Sequence, residues 1–296
     1  MFGLGLIELV ALVLLLVGVG LLVRARLSDG PVSVRREWRL VQLTRLVGVL
    51  AGWWVAGWTA ETGRWGLGPA LAPAAFGLVV LVAVGLGETV VRPPAAEGAR
   101  SASLRPRRVT DYLPRQLTRV VTMVTAITFG LLLLTSLTAS RDPGTGAMRA
   151  LRCGSGDVSG TATPWPGTYY SLPIAGLLLA VLVVAAVAAR QVVRRPRGLA
   201  PQDLDDDALR RRSLDVVVAA VGLTVALTLG GVAGRAAGAL SDLGALTKCA
   251  PAWSVPAGGV LTVVAVACIG LSLWCLLELA LGRAARRPAA RPRVRT

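Results

Sequence analysis

The sequence predicts an all-α membrane protein with seven transmembrane helices, an N-terminus outside the cell and a C-terminus in the cytoplasm. Three observations support this prediction. Apolar residues make up 54% of the 296 residues, and the mean hydropathy is +0.65, which places the chain in the membrane class. The apolar residues form long stretches, and the basic residues collect between these stretches on alternate sides.

Seven stretches are long enough, or nearly long enough, to cross a bilayer. A helix needs about 20 predominantly apolar residues to cross roughly 30 Å of hydrocarbon. The second stretch is the shortest, because its strictly apolar part runs only from Leu46 to Ala60 and its helix must include Arg45. An Arg near a helix end can extend to the headgroups. The predicted spans lie at 3–23, 40–60, 67–87, 120–139, 172–189, 214–234 and 258–280, in one polytopic domain covering 1–296.

The N-terminal span predicts the orientation. Residues Met1 to Val23 are apolar except for Glu8, and no basic residue precedes them, so a secretory signal peptide is not expected. Arg24 and Arg26 follow the span, which favours a retained helix with a translocated N-terminus. The remaining spans are compatible with three successive hairpins or with chance similarity among apolar segments.

The basic residues support the same topology. The segments assigned to the cytoplasm contain 26 of the 32 basic residues, including those of a basic tail at 283–296, and the outer segments contain six. This positive-inside bias predicts a plasma-membrane protein whose Arg clusters contact anionic phospholipid headgroups. The net charge of +16 does not indicate nucleic-acid binding, because the Arg residues lie in short loops between apolar spans.

Aromatic residues cluster at the predicted outer ends of the spans, as in the aromatic belt of a membrane protein. They are Trp53, Trp54, Trp58, Trp65, Trp165, Tyr169, Tyr170 and Trp253.

The chain contains no His, so it lacks the commonest general base, proton shuttle and metal ligand. The single Lys, Lys248, lies in a predicted outer loop and not in a span. A metal site at Asp205, Asp206 and Asp207 is an alternative, but consecutive side chains point in different directions. The sequence therefore predicts no catalytic residue, no cofactor and no metal site.

Four Cys residues form two pairs by location. Cys153 and Cys249 lie in predicted outer loops, where an oxidising environment allows a disulfide, and two unrelated thiols are the alternative. Cys268 and Cys275 lie on one face of the last span and are interpreted as small packing residues.

Polar residues within the spans suggest a path for an ion or solute. Glu8 has no basic neighbour in sequence, although it can also reach the outer headgroups or pair with Arg64 or Arg235. A stripe of hydroxyl residues follows the fourth span within an arc of about 120°. These hydroxyls can line a path, or they can bond to their own helix or to neighbouring helices. The stripe contains Thr118, Thr122, Thr125, Thr128 and Ser136.

A second stripe in the sixth span consists of small residues at every fourth position. This spacing predicts close helix packing, either within the bundle or between protomers. The stripe contains Gly222, Ala226, Gly230, Gly234 and Gly238.

These features leave three functions open. A non-enzymatic membrane subunit or scaffold, with a membrane-protein partner or as a homo-oligomer, fits the small-residue faces and short loops. A transporter of a small solute or ion fits Glu8 and the hydroxyl stripe. A lipid-acting membrane enzyme has only the Arg-rich loops in its favour and lacks a base.

Overall fold

The computed structural model describes residues 32–90, 109–155, 158–194, 203–246 and 249–281. These ranges contain six long helices and one small antiparallel sheet. The helices are α1 (Val32–Glu61), α2 (Leu67–Val90), α3 (Arg115–Leu137), α4 (Thr168–Arg194), α5 (Asp203–Leu246) and α6 (Ser254–Leu281). The strands are β1 (Ser140–Arg141), β2 (Met148–Ser155) and β3 (Val158–Ala162).

Five of these helices are long and apolar enough to cross a membrane, which supports an integral membrane protein. Their apolar stretches are Leu67–Gly87, Arg115–Leu137, Thr168–Arg194, Arg210–Ala245 and Ser254–Leu279. Helix α1 covers the predicted span at 40–60. Its first half is charged, so its apolar segment is shorter than those of the five other helices. The predicted span at 3–23 lies outside the described residues.

Helix α5 is the centre of the bundle, packing against α2, α3, α4 and α6. Most of its side chains between 210 and 245 are buried. Its 44 residues correspond to about 66 Å at 1.5 Å per residue, about twice the thickness of the hydrocarbon core. The helix extends beyond the predicted span at 214–234 at both ends, and no Pro interrupts it between Asp203 and Leu246.

Glycines bring the neighbouring helices close to α5. A Cβ added at Gly222 would lie 2.8 Å from Cys275 Sγ of α6, and one at Gly77 of α2 would collide with the side chain of Thr224. Helices α1 and α6 lie at the two edges of the bundle, with α1 packed chiefly against α2 and α6 chiefly against α5.

The three-stranded sheet follows α3 and leads into α4, so the all-α prediction omits a small β element. Its strands pair in the order β1-β2-β3, with Leu151 opposite Ala162 and Cys153 opposite Gly160. Leu151 and Ala162 are buried together with Trp165 and residues from the C-terminal half of α5, including Leu240 and Leu243. The sheet thus covers one end of the bundle, called here the cap end.

A buried polar cluster lies at the opposite end. Arg210 is 0% exposed and its Nη1 lies 3.4 Å from Asp207 Oδ1, which also accepts a hydrogen bond from Tyr112 Oη at 3.2 Å. Tyr112 and Leu113 pack against the last turns of α4. These contacts attach the segment before α3 to α4 and α5.

Candidate functional site

A disulfide connects the sheet to the helices at the cap end. Cys153 on β2 is bonded to Cys249, which lies between α5 and α6, and the two Cα atoms are 5.6 Å apart. This is the pairing that the sequence predicts. Since 96 positions separate the two residues, the bond ties distant parts of the chain together at this end.

The turn between α1 and α2 lies beside the sheet in an uncommon conformation. Trp65 has a φ of 62°, a left-handed value that costs a residue other than glycine about 1 kcal/mol or more. Its carbonyl accepts hydrogen bonds from Tyr170 Oη and from Arg149 Nη1, and the Arg149 guanidinium lies 5.0 Å from its ring centroid. Tyr169 Oη donates to the carbonyl of Arg64 at 2.9 Å. Side chains from α4 and β2 therefore hold the turn in place.

Arg149 is itself fixed by an ion pair with Asp142, at 2.9 Å from Nε to Oδ2. Asp142 also accepts hydrogen bonds from the Gly144 N–H at 3.0 Å and the Thr145 hydroxyl at 2.9 Å. These two bonds and the Arg149 guanidinium hold the pKa of Asp142 below its ordinary value of 3.8. The carboxylate thus stays ionised and orients the guanidinium on Trp65.

The segment between β3 and α4 is equally constrained. Trp165 is 5% exposed, its Nε1 donates to the carbonyl of Thr135 at 2.9 Å, and its backbone N–H donates to the carbonyl of Arg149 at 2.8 Å. Ser171 Oγ donates to the carbonyl of Pro166 at 2.8 Å. The segment is thereby attached to α3, β2 and α4.

A cavity of about 120 Å³ lies below this segment. Its lining is almost wholly apolar, and four prolines contribute walls that carry no backbone N–H. The lining residues are Trp65, Gly66, Pro69, Ala70, Pro73, Pro164, Trp165, Pro166, Tyr170, Ile174, Thr228, Gly231, Val232 and Arg235.

Arg235 is the one ionisable cation in this lining. The other polar side chains already donate elsewhere, because Trp165 and Tyr170 bond to backbone carbonyls as described and Thr228 Oγ1 donates to the carbonyl of Thr224 at 2.8 Å. Arg235 is exposed, and within the described ranges no carboxylate lies within 4.0 Å of its guanidinium. The cavity therefore combines an apolar interior with a single uncommitted guanidinium.

The hydroxyl stripe of α3 does not line this cavity. Thr125, Thr128 and Ser136 donate to carbonyls four residues earlier in their own helix. Thr128 is 0% exposed, whereas Thr122 lies on the exposed face. The buried hydroxyl of Thr118 has no hydrogen-bond partner among the described residues. The bonded members thus have the geometry of hydroxyls that satisfy their own helix.

The small-residue stripe of α5 faces α6 within the bundle. A Cβ at Gly230 would lie 3.2 Å from Cys268 Cβ, and one at Gly234 would lie 4.0 Å from Ala265 Cβ. Ala226 is 0% exposed. Gly238, in contrast, has no atom within 4 Å of an added Cβ. Cys268 and Cys275, which are outside the disulfide, are buried on the facing helix, where each opposes a glycine of α5.

Two other candidates, Glu8 and the group Asp205, Asp206 and Asp207, rest wholly or partly on side chains outside the described part of the structure. Glu8 lies outside the described residues. Within the ranges that the structure describes, no group of three or more His, Cys, Asp or Glu side chains could hold a metal ion.

Sequence reasoning did not identify Arg235 and Trp65 as members of one site. Arg235 is counted among the six outer basic residues, and Trp65 among the belt aromatics. The Pro-Trp-Pro sequence at 164–166 is the one local indication of a rigid segment, because each proline fixes its own φ.

The chain matches no known family model, and neither curated proteins nor solved structures show significant similarity to it.

Proposed function

We propose that the chain is a multi-pass plasma-membrane protein without enzymatic activity, acting as a membrane subunit or scaffold. The observation that supports this proposal most is the close packing around α5. Its glycines contact α6 directly, and its buried Thr224 and Thr228 donate to carbonyls of their own helix. Such a bundle is suited to holding its shape, because little polar surface remains inside the described part to line a path.

The proposal includes seven spans, with the cap end and the N-terminus outside and the C-terminus in the cytoplasm. The disulfide supports an outer location for the cap, because disulfides persist in oxidising compartments. The aromatic side chains of Trp65, Trp165, Tyr169 and Tyr170 gather at the same end. Reporter fusions test this topology: a reporter active only in the cytoplasm should work after Arg295 and fail before Met1. The opposite pattern would refute it.

The end opposite the cap is proposed to contact anionic phospholipid headgroups. Helix α3 begins and α4 ends there, and α5 passes through the same region. Exposed Arg side chains from all three helices lie at this end, where each can attract negative charge from the cytoplasmic leaflet. They are Arg115, Arg119, Arg190, Arg194 and Arg211.

A partner helix or a second copy of the chain would contact an edge of the bundle. Helices α1 and α6 each pack chiefly against one neighbour and expose apolar side chains that can adjoin lipid or protein. On α1 these are Leu43, Val47, Leu50, Trp54 and Trp58, and on α6 they are Val260, Val263, Val266, Ile269 and Leu273.

Thiol accessibility in native membranes distinguishes a static scaffold from a transporter. Cys268 and Cys275 are buried between α5 and α6, so a charged, water-soluble methanethiosulfonate reagent should leave both unlabelled. A Trp253→Cys variant gives the positive control, because this position is exposed at the start of α6. Labelling of either native thiol at a rate near that of the control would show that the helices separate, which favours the transporter.

A further inference from the structure

We propose that the cavity at the cap end binds a small monocarboxylate with an apolar body of about the size of one benzene ring. The site consists of the proline and aromatic walls and the guanidinium of Arg235. The ligand would come from the aqueous phase at the cap end and would place its carboxylate on Arg235 and its apolar body between the walls.

The charge of the ligand follows from the polar side chains that line the cavity. Trp165, Tyr170 and Thr228 each donate to a carbonyl of the protein. Among the described residues, Arg235 is therefore the lining side chain whose donors have no acceptor. A guanidinium presents a planar fork that matches both oxygens of a carboxylate. A ligand with a single anionic group satisfies this fork, and any second charge would lie against apolar surface, which is unfavourable.

The size of the ligand follows from the volume. An apolar cavity of about 150 Å³ in another protein stays dry and admits benzene, and the present cavity measures about 120 Å³. One ring or a short branched chain fits such a space, whereas the acyl chains of a phospholipid do not. The occupant is therefore a small molecule.

The walls are positioned before any ligand arrives. Arg149 and Tyr170 hold Trp65, and Trp165 is attached to α3 and β2. A preformed site avoids much of the entropy cost of ordering side chains upon binding. Gly231 leaves room at the α5 wall, because a Cβ placed there would meet no atom within 4 Å.

Binding of benzoate to the purified protein in phosphatidylcholine nanodiscs tests the proposal. Calorimetry should report saturable binding, and so should the total tryptophan fluorescence, to which Trp65 and Trp165 of the cavity contribute. Benzyl alcohol, which has the ring without the charge, and acetate, which has the charge without the ring, should bind at least about tenfold more weakly.

Three variants locate the site. Gly231→Leu should abolish benzoate binding by filling the cavity, and Arg235→Gln should weaken it about tenfold by removing the charge-assisted hydrogen bonds. Gly238→Leu is the matched control, since its Cβ also meets no atom within 4 Å but the residue does not line the cavity. It should bind benzoate like the unmodified protein.

Four results would overturn the proposal. They are absence of benzoate binding, equally tight binding of benzyl alcohol, unchanged binding in both Gly231→Leu and Arg235→Gln, and loss of binding when phosphatidylglycerol is added to the nanodiscs. The last result would assign Arg235 to a lipid headgroup. The Arg235→Gln variant keeps the test valid if Gly231→Leu does not fold.

Discussion

Replacing Gly230 with Leu tests whether the small-residue stripe holds α5 and α6 together. Gly230 and Gly231 are neighbours in α5 but face different surroundings. A Cβ at Gly230 would lie 3.2 Å from Cys268 Cβ and 3.7 Å from the carbonyl oxygen of Ala265, whereas a Cβ at Gly231 would have no atom within 4 Å. The same substitution at these two positions therefore separates packing from every other effect of replacing glycine by leucine.

The expected cost comes from overpacking. A Cβ at 3.2 Å requires its neighbour to shift by a few tenths of an ångström, and a leucine side chain adds three more carbon atoms beside the contact between α5 and α6. Inserting methylenes into a packed interior costs about 1–3 kcal/mol, and we expect a value near the upper end. Leu gains up to about 1 kcal/mol over Gly in helix propensity at both positions, so this gain cancels in the comparison. About 3 kcal/mol corresponds to a Tm that is roughly 6–12 °C lower for Gly230→Leu than for Gly231→Leu.

The two Cys residues outside the disulfide allow the unfolding to be measured. The chain has four Cys residues and two of them form the disulfide, so a thiol-reactive fluorophore reports exposure of Cys268 and Cys275 as the detergent-solubilised protein is heated. Tryptophan fluorescence gives a second melting curve that does not depend on the thiols. If both variants melt within about 2 °C of each other by both measurements, the stripe does not determine the packing of α6 and the reasoning is wrong.

Three further predictions concern the cap. Replacing both Cys153 and Cys249 with Ser should lower the stability by about 2–4 kcal/mol. In the unmodified protein, mass measurement after denaturing alkylation should find two labelled thiols without reductant and four with reductant; four without reductant would contradict the bond. Tyr170→Phe removes the hydrogen bond to the Trp65 carbonyl and should cost about 1 kcal/mol, measured as a lower Tm than that of the unmodified protein; an unchanged Tm would refute this contribution. The folded-state pKa of Asp142 lies below its unfolded value near 3.8, so the stability that this carboxylate contributes is complete above that value and is lost as the pH falls through the folded-state pKa. Between pH 6 and pH 3, the Tm of Asp142→Asn should therefore fall less than the Tm of the unmodified protein. Equal losses of Tm would exclude this carboxylate as a cause of the acid sensitivity.

The helices were predictable because a bilayer imposes a simple requirement on sequence. Leu67–Gly87 and Ser254–Leu279 are continuous apolar stretches of the required length, and the helices found there agree with the predicted spans. Helix α5 exceeds its prediction because hydropathy marks where a helix is apolar and not where it ends. Its charged first turns continue the same helix, and the ion pair between the buried Arg210 and the partly exposed Asp207 lies within them.

The cap was less accessible to sequence reasoning. The segment at 140–162 is short and rich in Gly, Ser and Thr, so neither length nor apolar alternation indicates β strands. The cavity is harder still to predict, because its lining comes from the turn after α1, from α2, from the segment before α4, and from α4 and α5. No local pattern reports that Arg235 faces Pro-rich walls more than 60 positions away in the chain. The disulfide was predictable because two Cys residues alone occupied the predicted outer loops.

The position of α6 shows how the cap and the bundle depend on each other. This helix packs chiefly against α5, and apolar packing gives weak discrimination among neighbours in a lipid environment, because lipid tails are as apolar as the side chains that they replace. Two features therefore specify its place: the glycines of α5 that admit Cys268 and Cys275 to close contact, and the disulfide at Cys249, just before α6 begins at Ser254. The first fixes the distance between the helices, and the second anchors the start of α6 to the sheet. Since the sheet also fixes Arg149 and Trp165, the same covalent bond that locates α6 contributes to the shape of the cavity.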